Sequence, residues 1–388
     1  IRHNSATSDA ITTAADGTCT AKITGRTGGG GLSHRNLIIN GAMQIAQRGT
    51  SSTASGHGSV DRFAVYHSTD DAPTHSQSDV GLSDLPFTEQ GITKCLKVTN
   101  GNQSGAGNAE YVEINYKCEA QDIRNSGWNY QSSSSFITLS FWVKAYQAGT
   151  YCVTLYKADQ TARGITFNYT INASATWEFK TITIPGDTGG GGIDNDNGAG
   201  LYFHWALASG SNYTSSDSMK NSWVNYNSAG FAHGQTVNIA SSTDNYWQIT
   251  GVQLELGPQA TPFEHRSFGE ELELCQRYFY MHAFGSDVAS PDSSPMGLAA
   301  QYSITSFYGS IQYPVRMRAH PSFYKSLGTD RLLFYASASS QGFNDVATQD
   351  FGVNASIINY YDSLNSSAAA GWVQLNNNSA YVGFDAEL

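Results

Sequence analysis

The chain has 388 residues, with 21 Lys and Arg against 32 Asp and Glu and a formal net charge of −11. With no Lys/Arg run to track phosphates, that balance argues against sequence-independent nucleic-acid binding, and no apolar stretch approaches the ~20 residues of a membrane-crossing helix. Charged residues make up 14% and aromatics 12%, and 39 Gly and 22 Tyr stand where helical proteins carry Glu, Lys and Leu, so the composition predicts a mainly β fold with long polar loops.

Residues 1–35 read as an N-terminal connector. A short strand pair is predicted around Ile11 and from Cys19 to Ile23, followed by a flexible joint at Gly28-Gly29-Gly30-Gly31. The natural N-terminus is expected upstream, because residue 1 is Ile and the opening lacks a signal-peptide pattern. Cys19, Cys95, Cys118, Cys152 and Cys275 include no C-x-x-C and cannot all pair, which predicts folding in a reducing cytoplasm.

From Asn36 the pattern becomes strand, turn, strand. Candidates are Leu37 to Ile39, Phe63 to Tyr66, Cys95 to Val98, Tyr111 to Ile114, Phe136 to Ala145, Tyr151 to Tyr156, Ile165 to Tyr169, Phe179 to Ile184, Leu201 to Leu207 and Val237 to Ile239. Many short strands without intervening helices predict a β-sandwich or jelly roll over 36–266. Its best-defined strand is Ile249 to Leu256, where Val252, Leu254 and Leu256 point one way and Gly251, Gln253 and Glu255 the other.

One helix follows. Ser267 and Glu270 form a capping box, Phe268, Leu272, Cys275 and Phe279 share a face, and Glu273 with Arg277 makes an i, i+4 pair. A smaller β domain then runs to the end, so the third unit is 267–388, with strands expected at Tyr302 to Ile311, Leu332 to Tyr335, Ile357 to Tyr361, Trp372 to Leu375 and Tyr381 to Phe384.

Little in the chain points to catalysis. The Gly28 to Gly31 and Gly189 to Gly192 runs lack the Gly-Lys-Ser/Thr ending of a phosphate loop, and no Gly-x-Ser-x-Gly elbow or framed carboxylate pair occurs. His204, His233, His265 and His282 are isolated, with no zinc spacing. Asp194-x-Asp196-x-Gly198 reads first as a turn and second as the start of a calcium loop, since no Glu stands at the twelfth position. No catalytic residue and no cofactor are predicted.

Glycan binding needs aromatic faces beside hydrogen-bonding side chains. In Leu139 to Lys144, alternation sends Ser140, Trp142 and Lys144 away from Leu139, Phe141 and Val143, and Tyr202 and His204 likewise oppose Leu201, Phe203 and Trp205. Trp142, Lys144, Tyr156, Tyr202 and His204 are therefore the candidate polar–aromatic face. The competing reading packs these rings under a loop or against another subunit.

Asn36-Leu37-Ile38-Ile39-Asn40-Gly41-Ala42-Met43-Gln44-Ile45-Ala46-Gln47-Arg48-Gly49 and Val60-Asp61-Arg62-Phe63 resemble structural proteins of marine tailed phages (cyanophage- and pelagiphage-like) described as tail fibres. The resemblance returns at Ile249 to Gly257, Ala260 to Arg266, Gly269 to Leu272 and Cys275 to Tyr278, and more weakly at Pro314 to Pro321. The framed region also looks distantly like jelly-roll carbohydrate-binding modules, which open on an Asn-Leu-x-x-Asn-Gly strand and close on Val-x-Leu-Glu. Such modules commonly hold calcium beside those strands, where this chain has Gln44 and Thr250-Gly251.

The resemblance implies a non-enzymatic virion protein made in the bacterial host cytoplasm, a tail-fibre or adhesion subunit recognising host surface polysaccharide. Its expected partners are itself as a homotrimer and other virion proteins, with no nucleic acid and no membrane insertion. The alternative is a capsid-decoration or tail-hub protein without glycan binding, and a glycan-cleaving enzyme ranks third. The opening strand at Leu37 to Ile39 is expected beside Val252 to Leu256, with Val252, Leu254 and Leu256 buried.

Overall fold

The computed structural model describes residues 11–13, 19–21, 34–69, 71–102, 105–285, 294–303, 306–329, 331–336, 339–361 and 370–388. Ile11–Thr13 pairs antiparallel with Cys19–Ala21; the Gly28 to Gly31 joint lies outside the described residues. From there the fold is a jelly-roll β-sandwich followed by a helix and a smaller β domain.

Alternating side chains build two six-stranded sheets. The front sheet runs Val224–Asn225, Arg163–Ile171, Gly149–Lys157, Ala199–Ser209, Tyr111–Glu119 and Phe63–His67. The back sheet runs Glu178–Pro185, Phe136–Ala145, Tyr246–Leu256, Lys94–Thr99, Thr74–Asp79 and Ser51–Ser52. Val153, Leu155, Phe203 and Trp205 from the front meet Leu139, Phe141, Val143 and Ile249 from the back in one core. Phe141 meets Trp205 edge-on at 6.0 Å, and each such side chain contributes about 1.5–3 kcal/mol by leaving water.

The Asn-Leu-Ile-Ile-Asn-Gly segment is a latch rather than a ladder strand. The Leu37 amide donates to the Leu254 carbonyl at 2.9 Å, and the Val252 amide to the Gly41 carbonyl at 2.9 Å. Asn36 adds three bonds: its Nδ2 donates to the Val252 carbonyl, and its Oδ1 accepts from the Ile38 and Leu254 amides. Gly41 is required here, because a Cβ would stand 2.1 Å from the Val252 oxygen.

Val252 and Leu254 are buried and Leu256 is half-buried. Gln253 and Glu255, expected outward, are buried as well. The strap from Thr261 to Arg266 covers them: Thr261 donates through its amide and hydroxyl to Glu255, and the Glu264 amide donates to Gln253 Oε1. Arg266 closes the strap over the latch, donating to the Ile38 and Asn36 carbonyls.

Several local expectations shift. Short helices occur at Leu85–Gln90, Ala120–Asn125 and Ser211–Thr214, and the predicted strand at Val237 to Ile239 gives way to a 3-10 turn at Ile239–Ser241 capped by Asn238. The main helix, Phe268–Gln276, has the expected Ser267 cap on the Glu270 amide. Its buried face is Glu271 and Cys275, while Phe268 is 62% exposed. Arg277 bonds Glu119 at 2.7 and 2.9 Å rather than exposed Glu273; a buried carboxylate holds the guanidinium more strongly than a solvated one. No helix among the described residues is long and apolar enough to cross a membrane.

A second core lies between a three-stranded sheet, Phe279–Phe284, Tyr381–Asp385 and Ser322–Ser326, and one face of a seven-stranded sheet spanning Pro295 to Leu375. Buried charges join the two cores. Arg48 pairs with Asp385 at 2.9 Å and with Glu387 at 3.4 Å, and Arg62 pairs with Glu387. Both guanidiniums lie on rings of the 267–388 unit, Arg48 on Phe279 at 3.6 Å and Arg62 on Tyr278 at 3.4 Å.

Candidate functional site

The five residues expected on one face lie on two. Trp142 and Lys144 stand on the back-sheet strand Phe136–Ala145, whereas Tyr156, Tyr202 and His204 stand on the front sheet. Trp142 is only 3% exposed. It packs with Val80, Ile92, Cys95 and Trp177 against Phe87 of the Leu85–Gln90 helix and donates from Nε1 to Gln90 Oε1 at 3.0 Å. Burial in this cluster pushes the Cys95 thiol up to about 12. Lys144 lies over Trp177 and reaches Asp84 at 3.7 Å. Trp142 is therefore a core residue under a helix, because the chain returning over that sheet supplies apolar cover that strand alternation does not encode.

The other three come together. Tyr202 sits directly opposite Tyr156 on one neighbouring strand and Lys117 on the other. The rings form a row: Tyr226 to Tyr156 at 4.6 Å, Tyr156 to Tyr202 at 5.2 Å and Tyr202 to His204 at 6.1 Å. Tilts of 56° and 58° at the first two junctions keep these tyrosines from covering one another's faces. Lys117 Nζ lies 5.4 Å from the Tyr202 ring.

Polar groups flank the row. His204 Nδ1 is 3.1 Å from Glu113 Oε1, and Asn115 Nδ2 is 2.9 Å from the same ring nitrogen. Burial, with Tyr156 adding to it, raises the Tyr202 hydroxyl, and burial with Glu113 pushes Tyr226 to about 12. Burial also raises Tyr66, helped by the Glu113 charge on the adjoining strand. These hydroxyls stay protonated at neutral pH and can both donate and accept.

Period-two alternation of Tyr111-Val112-Glu113-Ile114-Asn115-Tyr116-Lys117 already places Tyr111, Glu113, Asn115 and Lys117 on one side, so that edge of the site was open to sequence reasoning. Tyr226 carries no such signal. It enters from the irregular 210–235 segment, which folds back over the sheet and pairs Val224–Asn225 with Arg163 and Gly164.

The Asp194 to Gly198 run is a turn: Asp196 Oδ1 accepts from the Gly198 amide at 2.9 Å, and Asp194 Oδ1 accepts from Gln160. Among the described residues no group of three His, Cys, Asp or Glu is placed to hold a metal. At the positions where the resemblance puts calcium, Gln44 Nε2 donates to the Ala42 carbonyl and Thr93 Oγ1, and Thr250 Oγ1 donates to the Lys94 carbonyl.

No protein-family model and no curated protein matches the chain. Solved structures overlap it in part. The enzymatically active domain of tailspike protein 4 from bacteriophage CBA120 is 11% identical, with a TM-score of 0.32 over 57% of this chain and 21% of that one. A putative sugar-binding protein from Bacteroides thetaiotaomicron is 11% identical, with a TM-score of 0.31 over 57% of this chain and 100% of that one. A family 11 carbohydrate-binding module of a Clostridium thermocellum cellulase is 12% identical, with a TM-score of 0.28 over 54% and 96%. Likeness at this level carries no functional argument.

Proposed function

We propose that the chain is a non-enzymatic phage virion protein, a tail-fibre or adhesion subunit made in the bacterial host cytoplasm, whose front-sheet face binds host surface polysaccharide. The ring row from Tyr226 to His204, with Lys117, Glu113 and Asn115 beside it, carries this reading. Tilted aromatic faces suit pyranose C–H surfaces, and protonated tyrosyl hydroxyls suit sugar hydroxyls.

The test is adsorption of the purified chain to host surface polysaccharide. Tyr156→Ala and Tyr202→Ala should weaken binding by at least about tenfold while the fold is kept, and the polysaccharide should keep its length. Full binding by both folded variants would remove this face, and release of shortened glycan would replace adhesion with cleavage. The alternative, a capsid-decoration or tail-hub subunit without glycan binding, draws support from the exposed apolar side chains of the C-terminal sheet.

A further inference from the structure

The chain following the latch, the strap and the start of the main helix enclose a cleft of about 200 Å³ against the loop that leads into Lys94–Thr99. Two rings line it. Phe263 comes from the strap, where His265 meets it edge-on at 5.1 Å, and Phe268 from the first helical position, 62% exposed. Helical periodicity sends Phe268 inward with Cys275, yet the structure leaves it bare beside the cleft, where it contributes little to either core. Gln44 enters just after the latch. Its Nε2 donates to the Ala42 carbonyl and to Thr93 Oγ1, both at 3.2 Å, which leaves Oε1 without a partner among the described residues. Glu271 lines the same cleft and is 9% exposed. Its Oε1 accepts from the Asn40 amide and from Arg266 Nη1, while nothing among the described residues bonds Oε2.

The unmet groups decide what fits. Two oxygens without donors call for a ligand that donates hydrogen bonds, which excludes an anion, and an apolar guest would leave a buried carboxylate oxygen unpaired. A cation is disfavoured too, because Arg266 Nη1 already stands 3.3 Å from the Glu271 carboxylate and would repel it. Neutral hydroxyls carry no such penalty. The Phe263 and Phe268 rings add a second requirement, since an aromatic surface suits the C–H face of a saturated ring. Size adds the third: a dry cavity of about 150 Å³ takes one benzene ring, so this cleft of about 200 Å³ takes one six-membered ring with its hydroxyls and not a chain of them.

We infer that this cleft binds a single neutral hexopyranose unit, whose C–H face lies on Phe268 and Phe263 and whose hydroxyls donate to Glu271 Oε2 and Gln44 Oε1. Arg266 is a positioning residue here. Its bonds to Glu271 and to the Ile38 and Asn36 carbonyls tie the carboxylate to the latch, so the acceptor is held in place before the sugar arrives. The unit is either a free monosaccharide or the end of a glycan chain, and the chemistry of recognition is the same for both. The cleft shares no residue with the front-sheet row, so it stands whether or not that row binds polysaccharide.

Saturation-transfer NMR on the full chain tests the site, with glucose, galactose and mannose each as free sugar and as methyl glycoside, and with methyl glucuronoside and methylammonium as charged comparators. At least one neutral sugar should saturate, with a dissociation constant on the order of 1 mM, and the charged probes should not. Phe268→Ala, at an exposed position, should melt like the wild type and weaken that sugar at least about tenfold. Gln44→Ala should weaken it as well, a second reading that does not depend on the ring, and Tyr202→Ala on the front sheet should leave it unchanged. Equal binding of free sugar and glycoside marks a chain end as the source, and binding of the free sugar alone marks a soluble one. Failed polysaccharide adsorption with the sugar still saturating removes the front-sheet reading and leaves this one. Saturation by none of the neutral sugars, stronger saturation by a charged probe, or a signal that Tyr202→Ala removes or folded Phe268→Ala keeps overturns the inference.

Discussion

The guanidinium of Arg62 lies 3.4 Å from the centre of the Tyr278 ring, with Arg62 on the sandwich and Tyr278 just beyond the main helix. Both side chains are buried. The same guanidinium pairs with Glu387 and donates to the Lys117 carbonyl at 2.8 Å. A single cation therefore joins the front sheet, the helix exit and the segment that follows the last strand.

Removing that cation leaves Glu387 buried beside one fewer positive charge. Arg62→Met, which keeps much of the volume, should cost about 3–5 kcal/mol, and adding Glu387→Gln should recover part of the loss. Urea unfolding of the four-member set measures this coupling. Strict additivity would show that the pair does not couple the two units.

Acid should act on the same cluster. Burial alone would raise the Glu387 carboxyl, but His57, Arg62 and Arg48 hold it at about 2, below the ordinary 4.5. A carboxyl lowered on folding stabilises above its unfolded value, and that stability is lost as pH falls from about 4.5 toward about 2, here on the order of 3 kcal/mol. Asp61, raised to about 6 because burial outweighs Arg48, works the opposite way and loses its contribution as pH rises toward 6. Stability measured against pH should fall below 4.5 in the wild type. The fall should flatten in Glu387→Gln, and an unchanged acid limb would assign it to other carboxylates.

Trp142→Ala should lower stability by about 3–5 kcal/mol through the cavity beneath the Leu85–Gln90 helix. Where the variant still folds at low temperature, polysaccharide adsorption should match the wild type. Weakened adsorption at undiminished melting temperature would return Trp142 to the binding face.

Gly41→Ala should be more damaging than Asn36→Ala. The new methyl meets the Val252 carbonyl oxygen at 2.1 Å, so latch and closing strand must part, whereas Asn36→Ala loses three hydrogen bonds worth about 1 kcal/mol each. Thermal melts rank the two, and a Gly41→Ala melt equal to wild type would contradict the close approach.

The mainly β class, the sandwich, the Ser267 helix cap and the meeting of Leu37 with Leu254 were legible in the sequence because each depends on local periodicity, turn chemistry or paired motifs. The same alternation correctly separated Tyr202 and His204 from Phe203 and Trp205, since two residues on one strand share a face wherever the strand lies. What alternation leaves open is which sheet a strand joins and what later covers it. Only the tertiary structure put Trp142 on the back sheet under Gln90, brought Tyr226 from an irregular segment onto Tyr156, and turned Arg277 from Glu273 to Glu119. Each of these rests on a contact between residues more than fifty positions apart, where burial and a fixed partner outweigh every local preference.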